Sequence, residues 1–358
     1  MPSTSEYKRK VFHRFGAPEV FQWEPFAIPT LQSDEVLIRV KFIGVNYADI
    51  IARRGYYKWA GALPLCVGFE VAGEIIDKGE NVTLPIGTKV LAVTKFGGYS
   101  EAVVAGQKRV WKIPERMSFE EAAAMPAVYL TAYHSLMEVM RIRQGEDILI
   151  QAVAGGVGIA ALQIAKHIGL TVYGTASNEE KLQFARTHGL HFGINYVRDD
   201  FEIMMRNLTQ NRGVKFLLDS LGGNGLRKGI RCLKPMGHAV TIGAAGIVPP
   251  QGMSWQSMKE WKRIAGDFMH GGIYHPFYLI ERNISLSGVQ VLLLWDELEY
   301  FQRVMRELIA WYEAGVIKPH VDAVFPLGQA AEAHRFVEQR RSKGKVLLTT
   351  DIMNWQRG

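Results

Sequence analysis

Two patterns of apolar spacing divide the chain. In the first third, the runs Val36–Val40, Val71–Ile76 and Lys89–Val93 are punctuated by Gly68, Gly73, Gly79, Pro85, Gly87, Gly97 and Gly98. Short apolar runs at turn-rich spacing predict strands of a compact, β-rich, barrel-like unit. Near residue 119 the period changes. Phe119–Ala124 reads as a helix start behind Ser118, a residue suited to the N-cap, and a further helix is expected over Leu130–Met140. From Asp147 onward strands and helices alternate. Strands are expected at Ile148–Ala152, Thr171–Gly174, Gly193–Tyr196, Phe216–Asp219 and His238–Gly243. Helices are expected at Gly158–His167, Glu179–His188, Phe201–Leu208 and Gly223–Cys232. That alternation predicts an α/β, doubly wound parallel sheet. Ala244–Asn283 breaks the rhythm with Trp255, Trp261, Phe268, Tyr274, Phe277 and Tyr278. Beyond it, a strand at Leu286–Val291 is expected to close the sheet, and Asp296 to cap a helix running to Ala314. Strands at Ile317–Phe325 and Lys345–Thr349 are expected to flank a helix at Gln329–Arg340.

Composition narrows the class without changing that picture. At about 150 residues per domain, 358 residues make a little over two domains. A chain with 48% hydrophobic and 22% charged residues is not disordered as a whole. The net charge of +7 comes from scattered basic residues, and nucleic-acid recognition would need them clustered. Cys66 and Cys232 are too few for a disulfide scaffold or a four-ligand zinc site. They fit a reducing compartment, with a single bridge left open. The first residues lack the apolar core of a signal peptide. No run reaches the roughly 18 apolar residues of a membrane span. A soluble, cytoplasmic protein is expected.

The sharpest chemistry lies at Ala152-Val153-Ala154-Gly155-Gly156-Val157-Gly158, after an apolar strand and at the start of a helix. A dinucleotide-binding turn needs small residues for the bend, a bare backbone where a pyrophosphate approaches, and close helix–strand packing. Amides at the helix N-terminus then face the phosphates. Val153 stands where the common G-x-G-x-x-G pattern has its first Gly, so the spacing runs A-x-x-G-x-x-G through Ala152, Gly155 and Gly158. An NAD site places an acid at the end of the next strand, for the ribose hydroxyls. Here Gly174-Thr175-Ala176-Ser177-Asn178 carries none, and Glu179 and Glu180 fall in the following helix. Ser177 and Lys181 offer a donor and a charge to a 2′-phosphate. The competing reading of Lys181 is a solvated helix lysine. NADP(H) is the expected cofactor.

At these residues the chain resembles a known family. The stretches Gly44-Val45-Asn46-Tyr47-Ala48-Asp49 and Gly68-Phe69-Glu70, the loop Ala154–Gly158 and the ending Gly344–Leu348 resemble the medium-chain dehydrogenase/reductase superfamily. The likeness is to its zinc-free quinone oxidoreductase, or zeta-crystallin-like, branch. Within that branch Cys232–Gly237 and Ile317–Asp322 resemble the synaptic-vesicle membrane protein homologues. The resemblance implies a GroES-like catalytic domain over 1–128, a Rossmann NADP-binding domain over 129–294, and a segment 295–358 that returns to complete the first. Zinc-dependent relatives carry Cys and His where this chain has Asn46 and Phe69, and a four-cysteine lobe that is absent here. The resemblance therefore implies no metal. It also implies cofactor contacts. Asn46 and Thr131 would lie on the nicotinamide side, and Gly155, Gly156 and Val157 at the pyrophosphate. Ser177, Lys181 and Tyr196 would surround the 2′-phosphate, Ile242, Gly243 and Ala244 would line the nicotinamide ribose, and Arg340 would close over the cofactor. Singly, each has a bland reading: Tyr196 as strand surface, Arg340 as a solvated residue. A homodimer formed by sheet extension near Leu286–Val291 is a further family expectation.

The chemistry this implies is hydride transfer from NADPH to a small electrophilic acceptor, a quinone or an α,β-unsaturated carbonyl. Tyr57 is the candidate proton donor or substrate-orienting hydroxyl, with solvent as the alternative donor, and with Asn46 makes up the expected catalytic pair. Asp49 either orients its neighbours or is a turn residue. The 244–283 segment either lines the substrate site or packs a dimer or local core. Trp255 and Trp261 near Lys259, Lys262 and Arg263 offer a membrane-surface contact as the weaker reading. The rival function is a cofactor-binding module, associated with a membrane or partner, with little or no turnover.

Overall fold

The structure, a computed structural model, describes residues 7–243, 245–246 and 275–351. Ala244 and the segment with Trp255, Trp261, Phe268 and Tyr274 lie outside the described residues. The described chain falls into two compact units. One contains the chain up to Leu130 together with Leu292 onward, and the other is Thr131–Val291.

The first unit is built on β-structure. Strands β1 (Tyr7–Val11) and β2 (Gln22–Phe26) form an antiparallel pair. Strands β3 (Glu35–Val45), β4 (Glu70–Lys78), β5 (Lys89–Val93), β6 (Ala102–Gly106) and β7 (Val110–Lys112) enter a larger mixed sheet. The late strands β14 (Val321–Pro326) and β15 (Lys345–Thr349) join it, giving the order β14-β15-β3-β4-β5-β7, with β6 also on β3. The long β3 serves two partners in succession: Glu35–Arg39 pairs with β6, and Phe42–Val45 pairs with β15. Irregular register against β4 at Leu37/Ile38 and Val40/Phe42 bends the strand between those halves. Helix α1 (Tyr47–Arg53) follows β3. Helix α2 (Phe119–Ala123) starts at Ser118, whose hydroxyl accepts the Glu121 N–H at 3.1 Å while the Glu121 carboxylate accepts the Ser118 N–H at 3.1 Å.

Helix α3 (Pro126–Tyr133) carries the chain into the second unit and continues as a π-helical stretch, His134–Met140, ending at left-handed Arg141. The second unit holds strands β8 (Asp147–Ile150), β9 (Thr171–Ala176), β10 (Phe192–Asn195), β11 (Val214–Asp219), β12 (Leu233–Thr241) and β13 (Ser285–Gly288). Their order is β10-β9-β8-β11-β12-β13, and every neighbouring pair is parallel. Helices α4 (Gly156–Ile168), α5 (Glu179–Thr187), α6 (Phe201–Leu208), α7 (Gly223–Arg231) and α8 (Pro276–Arg282) lie between the strands in sequence. Strand order reverses between β8 and β11, and in open α/β sheets ligands bind outside the carboxyl ends of the strands at that reversal. The alternating α/β architecture beside a β-rich unit is the one expected from apolar spacing.

Several boundaries differ from expectation. The helix expected at Leu130 begins at Pro126, where a missing N–H costs nothing in a first turn. The strand expected over Leu286–Val291 ends at Gly288, and Val291–Leu294 forms a 3-10 turn. Asp296 does not cap the next helix. Helix α9 (Leu298–Glu313) has Glu297 at the cap without a side-chain bond, and Asp296 points to solvent 3.9 Å from Arg109. The strand expected from Ile317 starts at Val321, beyond Pro319, which has no N–H for a ladder.

The returning segment is fastened by charge as well as by pairing. Helix α10 (Ala330–Glu338) packs on α1, and Glu338 accepts a 2.6 Å hydrogen bond from the fully buried Arg53. Removing one partner of a buried pair leaves the other uncompensated. Glu338→Ala is expected to destabilise the first unit by about 3–5 kcal/mol, read as a lowered urea midpoint. A loss below about 1 kcal/mol, the range of exposed pairs, would show that Arg53 is satisfied without Glu338.

Candidate functional site

The glycine turn at the end of β8 has the features its sequence suggested, with one relocation. Ala152, not Val153, takes the left-handed conformation (φ 50) that a Gly would adopt most readily. Val153 is buried, and its side chain fills the space beside Gly174 on β9, where an added Cβ would lie 2.9 Å from it. The valine is accommodated because β9 has a glycine opposite. Gly155 is the N-cap of α4, and a Cβ on Gly158 would meet the carbonyl oxygens of Ala152 and Val153 at 2.5 Å. The amides of Gly156, Val157 and Gly158 stand in the first turn of α4, where no intrahelical carbonyl is available to them. A bare, half-buried backbone with free helix-terminal amides fits a phosphate group.

Two side chains that the sequence reading missed brace this end of the sheet. Gln151, buried directly after β8, donates from Nε2 to the Gly225 carbonyl at 2.9 Å and ties the turn to α7. Asp219 ends β11, and its carboxylate accepts from the amides of Leu221 (3.2 Å) and Gly222 (3.0 Å) and from the Thr241 hydroxyl (2.8 Å). Burial raises the Asp219 pKa, and those hydrogen bonds oppose the rise. The Ile242 N–H donates to the Asp219 carbonyl at 2.8 Å, and Gly243 passes close to Ser220, so both lie at the carboxyl end of β12. An Asp at a strand end before Gly222-Gly223 was the available signal.

Backbone placement puts Ser177, Lys181 and Tyr196 just past the carboxyl ends of the adjacent strands β9 and β10. Ser177 follows β9, Lys181 is in the first turn of α5, and the Tyr196 N–H donates to the Ala176 carbonyl at 3.1 Å. Asn178 caps α5 by accepting the Lys181 N–H at 2.9 Å. The nearby Glu179 is engaged with Arg186 at 2.6 Å along its own helix. Thr131 lies in α3, its carbonyl taking the Ser135 hydroxyl at 2.7 Å.

Asn46, Tyr57 and Arg340 belong to the first unit. The Asn46 side chain is committed to a buried network: it donates to Glu70 Oε1 at 2.9 Å, and its oxygen accepts from Lys345 Nζ at 2.9 Å. Lys345 also donates to Glu70 at 2.6 Å and to the Val45 carbonyl at 2.9 Å. Tyr57 is buried against Phe69, which precedes Glu70, with ring centroids 6.0 Å apart. Arg340 follows α10 in a left-handed conformation, exposed, and its charge reaches Tyr47 beside Asn46. At the two positions where zinc-dependent relatives carry Cys and His, the chain thus presents a committed amide and a hydrocarbon ring. Among the described residues no group of three or more His, Cys, Asp or Glu could hold a metal ion, and no helix is long and apolar enough to cross a membrane.

A twofold architecture of this kind, a mixed β unit to which the chain returns and a parallel sheet with a glycine turn after its first strand, defines the dehydrogenase/reductase class. The comparisons agree. The alcohol dehydrogenase GroES-like domain matches residues 32–115, and the zinc-binding dehydrogenase family matches residues 188–348. The synaptic vesicle membrane protein VAT-1 homolog of Danio rerio is 36% identical over 91% of this chain, a match spanning 66% of that protein's length. Quinone oxidoreductase-like protein 2 of Mus musculus is 31% identical over 88% of this chain and 85% of its own. The crystal structure of Escherichia coli quinone oxidoreductase complexed with NADPH superposes with a TM-score of 0.84 at 27% identity, covering 96% of this chain and 99% of that one. The chain belongs to the medium-chain dehydrogenase/reductase superfamily and has a quinone oxidoreductase-like fold.

Asp49 settles one open alternative. It is fully buried, accepts the Asn46 N–H at 2.8 Å and the Gly68 N–H at 2.9 Å, and so joins the two motifs that carry the resemblance. Burial pushes its pKa up from 3.8 to about 7. A raised acid pKa means that the folded state holds a proton the unfolded state has released. The stabilisation is full below about pH 4 and is lost as pH rises toward about 7. In urea unfolding, the stability of the wild type relative to Asp49→Asn is expected to fall between those limits and level off above them. A flat difference would show that Asp49 stays ionised in the fold.

Proposed function

We propose that the chain is an NADPH-dependent, zinc-independent oxidoreductase that passes hydride to a quinone or an α,β-unsaturated carbonyl. One observation carries the cofactor assignment: in the chain Ser177, Lys181 and Tyr196 fall just past the carboxyl ends of the adjacent strands β9 and β10, with no acid at the end of β9. Carboxylate there would repel a 2′-phosphate, whereas a hydroxyl and an ammonium attract it. A bound dihydronicotinamide supplies the hydride, which the acceptor takes as an electron pair while a proton completes the product. The protein's part is binding and orientation. Gly155 leaves room for the pyrophosphate, whose oxygens the amides of Gly156 and Val157 receive, Ile242 and Gly243 line the ribose beyond it, and Thr131 borders the ring. Asn46 and Arg340 stay as proposed cofactor contacts from the first unit, Asn46 acting through its place in the network with Glu70 and Lys345. Tyr57 places its hydroxyl to orient the acceptor or return the proton. The NADPH-bound Escherichia coli relative and the mouse quinone oxidoreductase-like relative support this reading.

Calorimetric titration tests the cofactor step. NADPH is expected to bind at least tenfold more tightly than NADH. Lys181→Ala should weaken NADPH about tenfold, the effect of losing one charge-assisted contact, and leave NADH unchanged. Tighter NADH binding would overturn the 2′-phosphate assignment. Tight NADPH binding without turnover across quinones and enones would favour the non-catalytic module instead.

Tyr57→Phe keeps the ring and deletes the hydroxyl. As the proton donor, Tyr57 is expected to cost roughly 100-fold in kcat when its hydroxyl is removed, with NADPH affinity retained. An unchanged kcat would assign the proton to solvent.

A further inference from the structure

Four buried polar atoms without a hydrogen-bonding partner in the protein lie on two packed helices of the first unit. They are Arg53 Nε and Nη1 on α1, and His334 Nδ1 and Glu338 Oε2 on α10. Asp49 and Arg53 are one turn apart on α1, as are His334 and Glu338 on α10, so each pair shares a helix face. One link between the helices is the Arg53–Glu338 pair at 2.6 Å. The other runs through the Tyr99 hydroxyl, 3.4 Å from Asp49 Oδ2 and 2.9 Å from His334 Nε2. Asp49, Arg53, Tyr99 and His334 are fully buried. The Phe21 ring closes over Tyr99 and His334, with centroids 5.8 and 5.0 Å away. Of these residues only Glu338 reaches outward, with 14% of its side chain exposed.

Buried polar atoms in native interiors are satisfied by protein or by ordered water. The unmatched set holds donors on Arg53, an acceptor on Glu338, and a ring nitrogen on His334 that can be either. A small anion would meet the Glu338 carboxylate, and a cation would meet the Arg53 guanidinium. Water suits both, because it accepts from Arg53 and donates to Glu338 and His334. Those are the three or so hydrogen bonds that a buried water makes.

We propose that a buried water joins Arg53, Glu338 and His334, and that it completes a proton path from the outer edge of α10 to Asp49. The path does not depend on the reductase reading. With Asp49 ionised, the Tyr99 O–H donates to Asp49 Oδ2, the His334 Nε2–H donates to the Tyr99 oxygen, and bare Nδ1 accepts from the water. To protonate Asp49, the water gives a proton to Nδ1 while the Nε2 proton moves to the Tyr99 oxygen. The Tyr99 proton then moves to Asp49 Oδ2. Solvent beside Glu338 restores the water's proton, so one proton enters and one arrives. His334 changes tautomer and stays neutral throughout, as burial and the facing Arg53 charge require. Around Asp49, Lys345 on β15 favours the carboxylate and Glu70 on β4 opposes it. The neighbouring Tyr99 phenol and Cys66 thiol are kept protonated by burial. The path gives a carboxyl with no face to solvent a way to exchange its proton.

Nitrogen-15 spectra of the histidine-labelled wild-type chain, from about pH 5 to about pH 9, test the path. His334 is assigned through its contacts with the Phe21 and Tyr99 rings. Its proton is expected on Nε2 at high pH and on Nδ1 at low pH, exchanging near pH 7, where Asp49 titrates, with no doubly protonated ring. Asp49→Asn and Tyr99→Phe should each abolish the pH dependence and hold one tautomer. A cross-peak between water and the His334 ring is expected in the wild type. One tautomer throughout the wild-type range, a doubly protonated ring, or an exchange that survives both substitutions overturns the path. Absence of the water cross-peak overturns the bridging water.

Discussion

The first unit depends on one buried ion pair. Lys345 and Glu70 are almost entirely shielded from water, and their 2.6 Å contact holds β15 to β4 across the end of β3. Each remaining polar atom on the pair is used. Lys345 also reaches the Val45 carbonyl and Asn46, and Glu70 Oε2 accepts the Ala127 N–H at 2.7 Å. The last bond reaches the first turn of α3, the helix that leads to the second unit. Gly44 is required by the same pair, since a Cβ there would collide with the Glu70 carboxylate. A buried pair costs desolvation and returns little net stability unless it is fully hydrogen-bonded. This one is, and its value lies in register: a slip of β15 along β3 would strand both charges in an apolar interior.

The glycine turn shows a second kind of dependence, in which one departure from the common pattern is absorbed by its neighbours. A valine at the third residue after Ile150 would crowd β9 if that strand carried a side chain at residue 174. With Gly174 in place, Val153 becomes core, and the left-handed turn passes back to Ala152. Alanine in that conformation costs on the order of 1 kcal/mol, a strain that the surrounding packing holds. Gly158 cannot be relaxed in the same way, because backbone oxygens, not a movable side chain, occupy the space. The spacing of the turn is therefore set by backbone contacts, while the identity of its first residues is negotiable.

The parallel sheet and the turn were legible in the sequence because strand and helix alternate with clean apolar periods and because Gly155 and Gly158 fall at a strand–helix junction; the strand order came only with the structure. The first unit was legible only in outline. Strands β1, β2, β6 and β7 are short, and β1 and β2 are half polar, so their burial patterns lack a sustained period of two. Helix α1 was hidden inside a stretch read for its motif. The cap of α9 was misassigned because Asp296 and Glu297 are adjacent acids, and the one at the cap position makes no side-chain bond to the helix that its sequence could have announced. Within the site, the cofactor-facing residues carried a local signal. The supporting residues Gln151, Tyr99 and His334 did not, because their partners lie far away in sequence: the Tyr99 hydroxyl meets His334 Nε2 at 2.9 Å across 235 positions.

The network around Asn46 also limits where carbonyl activation can come from. Its amide is spent on Glu70 and Lys345, and the Lys345 ammonium is spent on Glu70, so neither is available to polarise an acceptor without breaking the pair that holds the strands. Asp49 is turned toward the amides of Asn46 and Gly68, and the Tyr99 hydroxyl is turned toward His334 and Asp49. His334 itself is kept neutral by burial and by the nearby Arg53 charge. Every strongly polar side chain of this cluster is thus engaged in holding α1, β4, β15 and α10 together. What remains beside Phe69 is a set of rings with one phenol at its centre. On the reductase reading proposed above, the acceptor would therefore have to be electron-poor before it binds, the property that separates a quinone from a simple ketone.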